Sequence, residues 1–174
     1  MTPYRMAAMI AVVALVCGAG TARGDGSGDP TPVKNEEGKY LDKDGTPTFK
    51  VQADGTVDWY TFSGYRRYHS ECHVCHGPDG EGSSYAPGLK DALKTMSYSD
   101  FMEVVMSGRT VNRPGRESVM PALGTNPNVA CYLDDLYVYL RARANDAVGR
   151  VRPAKREDKP RAATQAEESC FGKG

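Results

Sequence analysis

The sequence predicts an all-α domain with a short β-meander ahead of it and an extended tail behind. Three observations predict it. Apolar residues recur at helical spacing in the stretches that begin near Thr61, Tyr98 and Asn126. The turn pairs Asp44-Gly45 and Asp54-Gly55 separate short β-prone runs only upstream of Thr61. Beyond Gly149 the chain turns Pro-, Lys- and Glu-rich with little apolar content. These shifts divide the chain into a leader (1–24), an arm and β-meander (25–60), a helical domain (61–145) and a tail (146–174).

Asp25 to Val33 is Gly/Pro-rich and reads as a loose arm. The runs Lys39-Tyr40-Leu41, Thr48 to Val51 and Thr56 to Tyr60 then form the antiparallel meander, since Asp-Gly between β-prone runs is a hairpin signal. Asp42 and Asp44 lack the glycine and closing Glu of a calcium loop, so calcium is not supported. From Thr61, residues Gly64, Tyr68 and Cys72 fall one turn apart on one helix face, and the small Gly64 lets another helix cross closely. Gly77 to Gly82 is loop. The middle helix runs from Tyr98 to Ser107, with Ser97 as its cap, Gly108 as its stop, and Phe101, Met102, Val104, Val105 and Met106 in the core. The last helix opens on Asn126 and Pro127 and continues through Leu133, Leu136, Tyr137 and Leu140 to about Ala144, with Arg141 and Arg143 at its electronegative end.

The chemistry concentrates in Cys72-His73-Val74-Cys75-His76, which fits the C-x-x-C-H attachment site of a c-type haem. Each thiol forms a thioether with one haem vinyl group, and the adjacent His76 supplies an axial nitrogen. A structural zinc site would need a second ligand pair, and Cys131 and Cys170 stand far apart. A thioredoxin-like pair would want βαβ surroundings, which the flanks lack. One motif implies one haem.

The leader is consistent with export. Arg5 precedes an apolar run from Met6 to Val16, and Gly20-Thr21-Ala22 resembles a cleavage site, so cleavage after Ala22 or Gly24 leaves about 150 residues. Cys17 leaves with the leader. No later segment reads as a membrane span. The expected mature protein is soluble and periplasmic, where thioethers and disulfides both form. Its 20 basic and 22 acidic residues exclude a strongly basic nucleic-acid binder. Charge is nonetheless uneven: residues 25–60 carry eight acids against four bases, and 141–174 carry nine bases against five acids. Such poles either steer a partner or are simply solvated.

An electron carrier does best with both axial positions filled, and methionine opposite histidine raises the potential. His73 lies inside the attachment motif, and His69 lies one turn before Cys72, on the same side of the macrocycle as His76. Met96 precedes the middle helix, while Met102 and Met106 share its buried face. Met120 instead sits in an irregular loop, Glu117 to Gly124, stiffened by Pro121, and is the candidate sixth ligand. Arg109, Arg113 and Arg116 precede that loop, as partners of the haem propionates, as contacts for another protein, or as solvated charge.

The order helix, Cys72-to-Gly77, middle helix, Met120-Pro121, final Tyr139-Leu140 helix resembles a class I cytochrome c. That resemblance spans Thr61 to Ala144 and implies a small fold whose first and last helices cross at Gly64, Tyr68 and Tyr139 or Tyr137. It also implies that the carbonyl of Pro87, in Tyr85-Ala86-Pro87-Gly88-Leu89, orients His76. The runs Gly55-Thr56-Val57-Asp58-Trp59-Tyr60 through Tyr68, and Glu71 through Gly80, resemble more narrowly the four-cysteine c-type cytochromes of methanol metabolism. This implies a carrier that accepts electrons from a quinoprotein (PQQ) methanol or alcohol dehydrogenase of the lanthanide-dependent type. It then passes them to a downstream cytochrome or oxidase. The chain itself would carry only haem c.

Cys131 and Cys170 are the even remainder in an oxidising compartment, so a Cys131–Cys170 disulfide that tethers the tail is the leading reading. A buried Cys131 with a free or intermolecular Cys170 is the alternative. The functional reading is a non-enzymatic electron carrier, with a carrier for another periplasmic dehydrogenase or oxidase as the alternative. A haem peroxidase would want a distal acid–base residue, and no spare distal histidine exists. A gas sensor would require Met120 to leave.

Overall fold

The computed structural model describes residues 28–172; the expected export signal in 1–24 lies outside the described residues. The meander has an additional first strand. β1 (Lys34–Glu36), β2 (Lys39–Leu41) and β3 (Pro47–Thr48) form an antiparallel sheet in that order, with Asn35 opposite Tyr40 and Leu41 opposite Pro47. The chain therefore begins its sheet inside the segment next to the expected arm, through a Glu37-Gly38 turn in which both residues have positive φ. Val51 and Val57 form a single bridge in place of the later meander strands, because Trp59 and Tyr60 already belong to the first helix.

That helix, α1 (Trp59–Glu71), starts where Asp58 accepts hydrogen bonds from the Thr61 amide at 2.9 Å and the Thr61 hydroxyl at 2.5 Å. The same carboxylate accepts from the Lys50 amide at 2.8 Å, which ties the meander to the helix. α2 (His73–His76) carries on from Cys72 after a kink, and a 3-10 turn covers Pro78–Gly80. α3 (Leu89–Ala92) and α4 (Tyr98–Ser107) follow. The Ser97 hydroxyl accepts from the Asp100 amide, and Gly108 ends α4, as expected. Phe101 and Val105 are buried, Met102 and Val104 are half-buried, and Met106 is exposed, so the core face of α4 is narrower than its composition implies.

The next segment adds a second small sheet to the helical domain. β4 (Arg109–Arg113) and β5 (Arg116–Met120) pair antiparallel around Pro114-Gly115, so Glu117 to Met120 of the expected irregular loop are strand. Pro-Gly between β-prone Thr110-Val111 and Val119 is a turn signal in its own right. The last helix is also interrupted. α5 (Pro127–Ala130) starts on the Asn126 cap and stops at Cys131, and α6 (Leu133–Ala144) restarts after Tyr132.

α1 and α6 cross in the centre of the fold. A Cβ at Gly64 would lie 1.9 Å from the Asp135 carbonyl oxygen and 2.7 Å from the Tyr139 Cβ, so only glycine permits this approach. Tyr65 and Tyr68 each place a ring 5.6 Å from that of Tyr139, within the range of favourable aromatic pairing. Tyr68, Tyr137 and Tyr139 are fully buried, each contributing on the order of 1.5–3 kcal/mol through removal of apolar surface from water.

The two arginines of α6 do more than offset the helix dipole. Arg141 reaches the meander, where it pairs with Asp42 at 2.7 Å and donates to the Pro47 carbonyl at 3.0 Å. Arg143 donates to the carbonyls of Asp79 and Val148 and to the Glu81 carboxylate, so it holds the loop after the haem motif. Both are buried.

The tail is not extended throughout. α7 (Arg161–Cys170) packs Ala163 into the core and is bonded to α5's end through Cys131–Cys170. Ahead of α7, Arg156 bridges in parallel to Val57 and its guanidinium lies 4.9 Å from the Trp59 ring centre. Lys159 pairs with Glu167. The helical spacing of Ala163, Ala166 and Cys170, within an Ala-rich run, is the signal for this element.

Candidate haem-binding site

Cys72 sits at the end of α1 and Cys75 one helical step beyond the kink, joined by the Cys75 amide to Cys72 carbonyl bond of 3.2 Å. Neither is in a disulfide. Burial and the neighbouring Glu71 and Cys75 push the Cys72 thiol up to about 12. A redox-active Cys-x-x-Cys pair has the opposite shift, toward the thiolate, so this pair is not built for thiol exchange.

His76 ends α2 and is 7% exposed. Its Nδ1 lies 2.9 Å from the Pro87 carbonyl, an acceptor, so Nδ1 carries the proton and Nε2 keeps its lone pair for a metal. The loop between them is closed by backbone. Gly82 donates to the His76 carbonyl at 2.8 Å, and Gly77 has φ 73, where a Cβ would meet the Gly82 carbonyl oxygen at 2.1 Å. The buried Tyr68 hydroxyl donates to the Gly77 carbonyl at 2.6 Å and accepts from the Gly80 amide at 2.9 Å. Ser83, a residue the motif does not announce, donates to the Cys75 carbonyl and accepts from the Tyr85 amide. Its position after a Gly-rich turn is the only sequence signal for that role.

Met120 ends β5 opposite Arg109 and is half-buried against the core. Its strand end is docked on α4: Leu123 donates to the Val105 carbonyl at 3.0 Å and Gly124 to that of Met106 at 3.1 Å. Met96 and Met102 pack against the same core, while Met106 is 37% exposed. Two unbonded thiols at C-x-x-C spacing, an imidazole locked in the metal-ligating tautomer, and a thioether on a docked strand are the donor types that haem c takes. Among the described residues, no group of three or more His, Cys, Asp or Glu side chains forms an alternative metal site.

No protein-family model matches the chain. Cytochrome c-555 of Methylococcus capsulatus is 38% identical over 105 residues, covering 60% of this chain and 76% of that protein. The c-type cytochrome XoxG from Methylobacterium extorquens AM1, a solved structure, superposes with a TM-score of 0.76 at 58% identity, over 81% of this chain and 86% of that one. The chain belongs to the c-type cytochromes. It is therefore an electron-transfer protein and not an enzyme, and its cofactor is covalently bound haem c. Cytochrome c-553I of Paracoccus denitrificans is 53% identical over 143 residues, 82% of this cytochrome but 63% of the relative, so the cytochrome spans less than two thirds of that protein's length. No helix among the described residues is long and apolar enough to cross a membrane.

Proposed function

We propose that this cytochrome is a periplasmic single-haem carrier that accepts electrons from a quinoprotein methanol dehydrogenase and delivers them to a downstream cytochrome or oxidase. Cys72 and Cys75 would hold the haem, His76 and Met120 would ligate its iron, and residues 1–24 direct export. Haem, when bound, supplies an iron that alternates between the ferrous and ferric states. The observation that carries this reading is the His76–Pro87 contact of 2.9 Å behind two free thiols. That hydrogen bond fixes the imidazole plane and raises its basicity. Arg143 and Tyr68 hold the loop that leads to Pro87, which restrains the ligand histidine. Rigidity keeps reorganisation small, which is what electron transfer requires.

The dehydrogenase as donor is supported by the run Gly55 to Gly80 and its resemblance to cytochromes of methanol metabolism, beside the likeness to XoxG. The test is turnover of purified lanthanide- and calcium-dependent methanol dehydrogenases against the oxidised cytochrome, following haem absorbance. Reduction paced by methanol oxidation supports the assignment. An enzyme that turns over with an artificial dye while the haem stays ferric removes it, and points to another periplasmic donor.

A further inference from the structure

We propose that His69 and Asp79 share one exchangeable proton whose affinity follows the charge at the haem, so that this carrier takes up a proton with its electron. The inference rests on the haem assignment above.

His69 lies on α1 one turn before Cys72, and both of its ring nitrogens face acceptors. Nδ1 is 2.9 Å from the Tyr65 carbonyl and Nε2 is 3.3 Å from Asp79 Oδ1. Neither the Tyr65 carbonyl nor the Asp79 carboxylate can donate. A neutral imidazole has one N–H and satisfies only one of them, whereas the imidazolium satisfies both. Asp79 makes the same demand from its side. Its side chain is 7% exposed, its Oδ1 is buried without a fixed hydrogen-bond donor, and its backbone holds φ 60 in the 3-10 turn directly after the haem motif. A buried carboxylate oxygen with no donor costs free energy, and a proton on His69 Nε2 removes that cost.

The pair is surrounded by aromatic rings, two arginines and a second histidine. From α1, Tyr65 and Tyr68 lie against the His69 ring, with centres 4.2 and 5.2 Å away. Tyr139 of α6 lies at 6.2 Å, and burial pushes the Tyr68 and Tyr139 phenols up, so both stay neutral. Arg143 of α6 binds the Asp79 backbone carbonyl rather than its carboxylate. Arg150 approaches Oδ2 at 3.7 Å from a largely exposed position. His73 of α2 stacks at 5.8 Å but is solvent-exposed, with Nδ1 on the His69 carbonyl.

Coupling follows from position. His69 precedes the attachment segment by one turn, Asp79 follows it by three residues, and the Tyr68 hydroxyl clamps Gly77 and Gly80 on either side of Asp79. The intervening space is protein, where charges interact more strongly than across water. With haem bound, one electron arriving from the donor protein would lower the positive charge there by one, and His69 Nε2 would take one proton from solvent. When the electron leaves, the proton returns to solvent.

The experiment is the reduction potential of the haem-loaded full chain from about pH 5 to about pH 9, the range over which a histidine titrates. The potential is expected to fall with pH in one window, with a slope bounded by about 59 mV per pH unit, the one-electron equivalent of a tenfold change. His69→Gln is expected to flatten that window. NMR titration of the His69 ring protons in the unmodified protein is expected to give a higher pKa in the ferrous than in the ferric state, independent of any variant. Equal His69 pKa values in the two states, or a slope that survives His69→Gln, overturns this inference alone. A chain that matures without haem overturns the proposed function and this inference with it.

Discussion

Replacing Gly64 by alanine is the sharpest perturbation of the helix crossing that supports the site. The added methyl carbon would lie 1.9 Å from the Asp135 carbonyl oxygen, 2.6 Å from its carbon and 2.7 Å from the Tyr139 Cβ. These neighbours are backbone or the root of a fully buried side chain, so no rotamer change relieves the overlap; α1 and α6 must part by roughly an ångström, a gap that forfeits a quarter to a half of each contact's attraction. Overpacking of this kind costs about 1–3 kcal/mol, and backbone atoms on one side place Gly64→Ala at about 3. For a chain of this length that lowers Tm by about 6–12 °C. Gly149→Ala is the control, since a Cβ there meets nothing within 4 Å and is expected to shift stability by at most about 0.5 kcal/mol. Thermal unfolding followed by far-UV circular dichroism compares the two. Equal Tm values for Gly64→Ala and Gly149→Ala would refute the close crossing.

Two further outcomes follow from the tail and from α6. The Cys131–Cys170 bond closes 39 residues, so replacing both cysteines by serine is expected to cost about 4 kcal/mol by urea unfolding, with an unchanged midpoint contradicting the tether. Burial pushes the Asp135 carboxyl up to about 7. The native state therefore binds this proton more tightly than the unfolded chain, and stability falls as pH rises from about 4 to about 7, by up to about 4 kcal/mol. Asp135→Asn is expected to flatten that part of the pH profile of urea midpoints, and a profile unchanged by the substitution would contradict it.

What was legible in the sequence is whatever short-range chemistry dictates. Ser97-to-Asp100 and Asn126-to-Asn128 caps set two helix starts from residues a few positions apart, whereas the Asp58 cap lies in a run expected as strand. The spacing of Gly64, Tyr68 and Cys72 placed the crossing and the attachment site on one helix, and the helices do cross at Gly64. What was not legible depends on distant partners. The β1–β2 and β4–β5 hairpins are the exceptions, local pairings that turn at Glu37-Gly38 and Pro114-Gly115, the second with its own turn signal. α7 is short and polar; the Cys131–Cys170 bond that holds it was expected, but the packing of Ala163 into the core is contained in no local pattern. The roles of Arg141 and Arg143 were hidden for the same reason. Their acceptors Asp42, Pro47, Asp79 and Glu81 lie about 60 to 100 residues away in sequence.

The central claim is a closed haem, held between His76 and Met120, that carries electrons and does no chemistry on small molecules. Addition of carbon monoxide to the dithionite-reduced protein tests it most directly. The unmodified cytochrome is expected to keep its ferrous spectrum, while Met120→Ala binds carbon monoxide on mixing. Prompt binding by the unmodified protein, or no gain of binding in Met120→Ala, would contradict it.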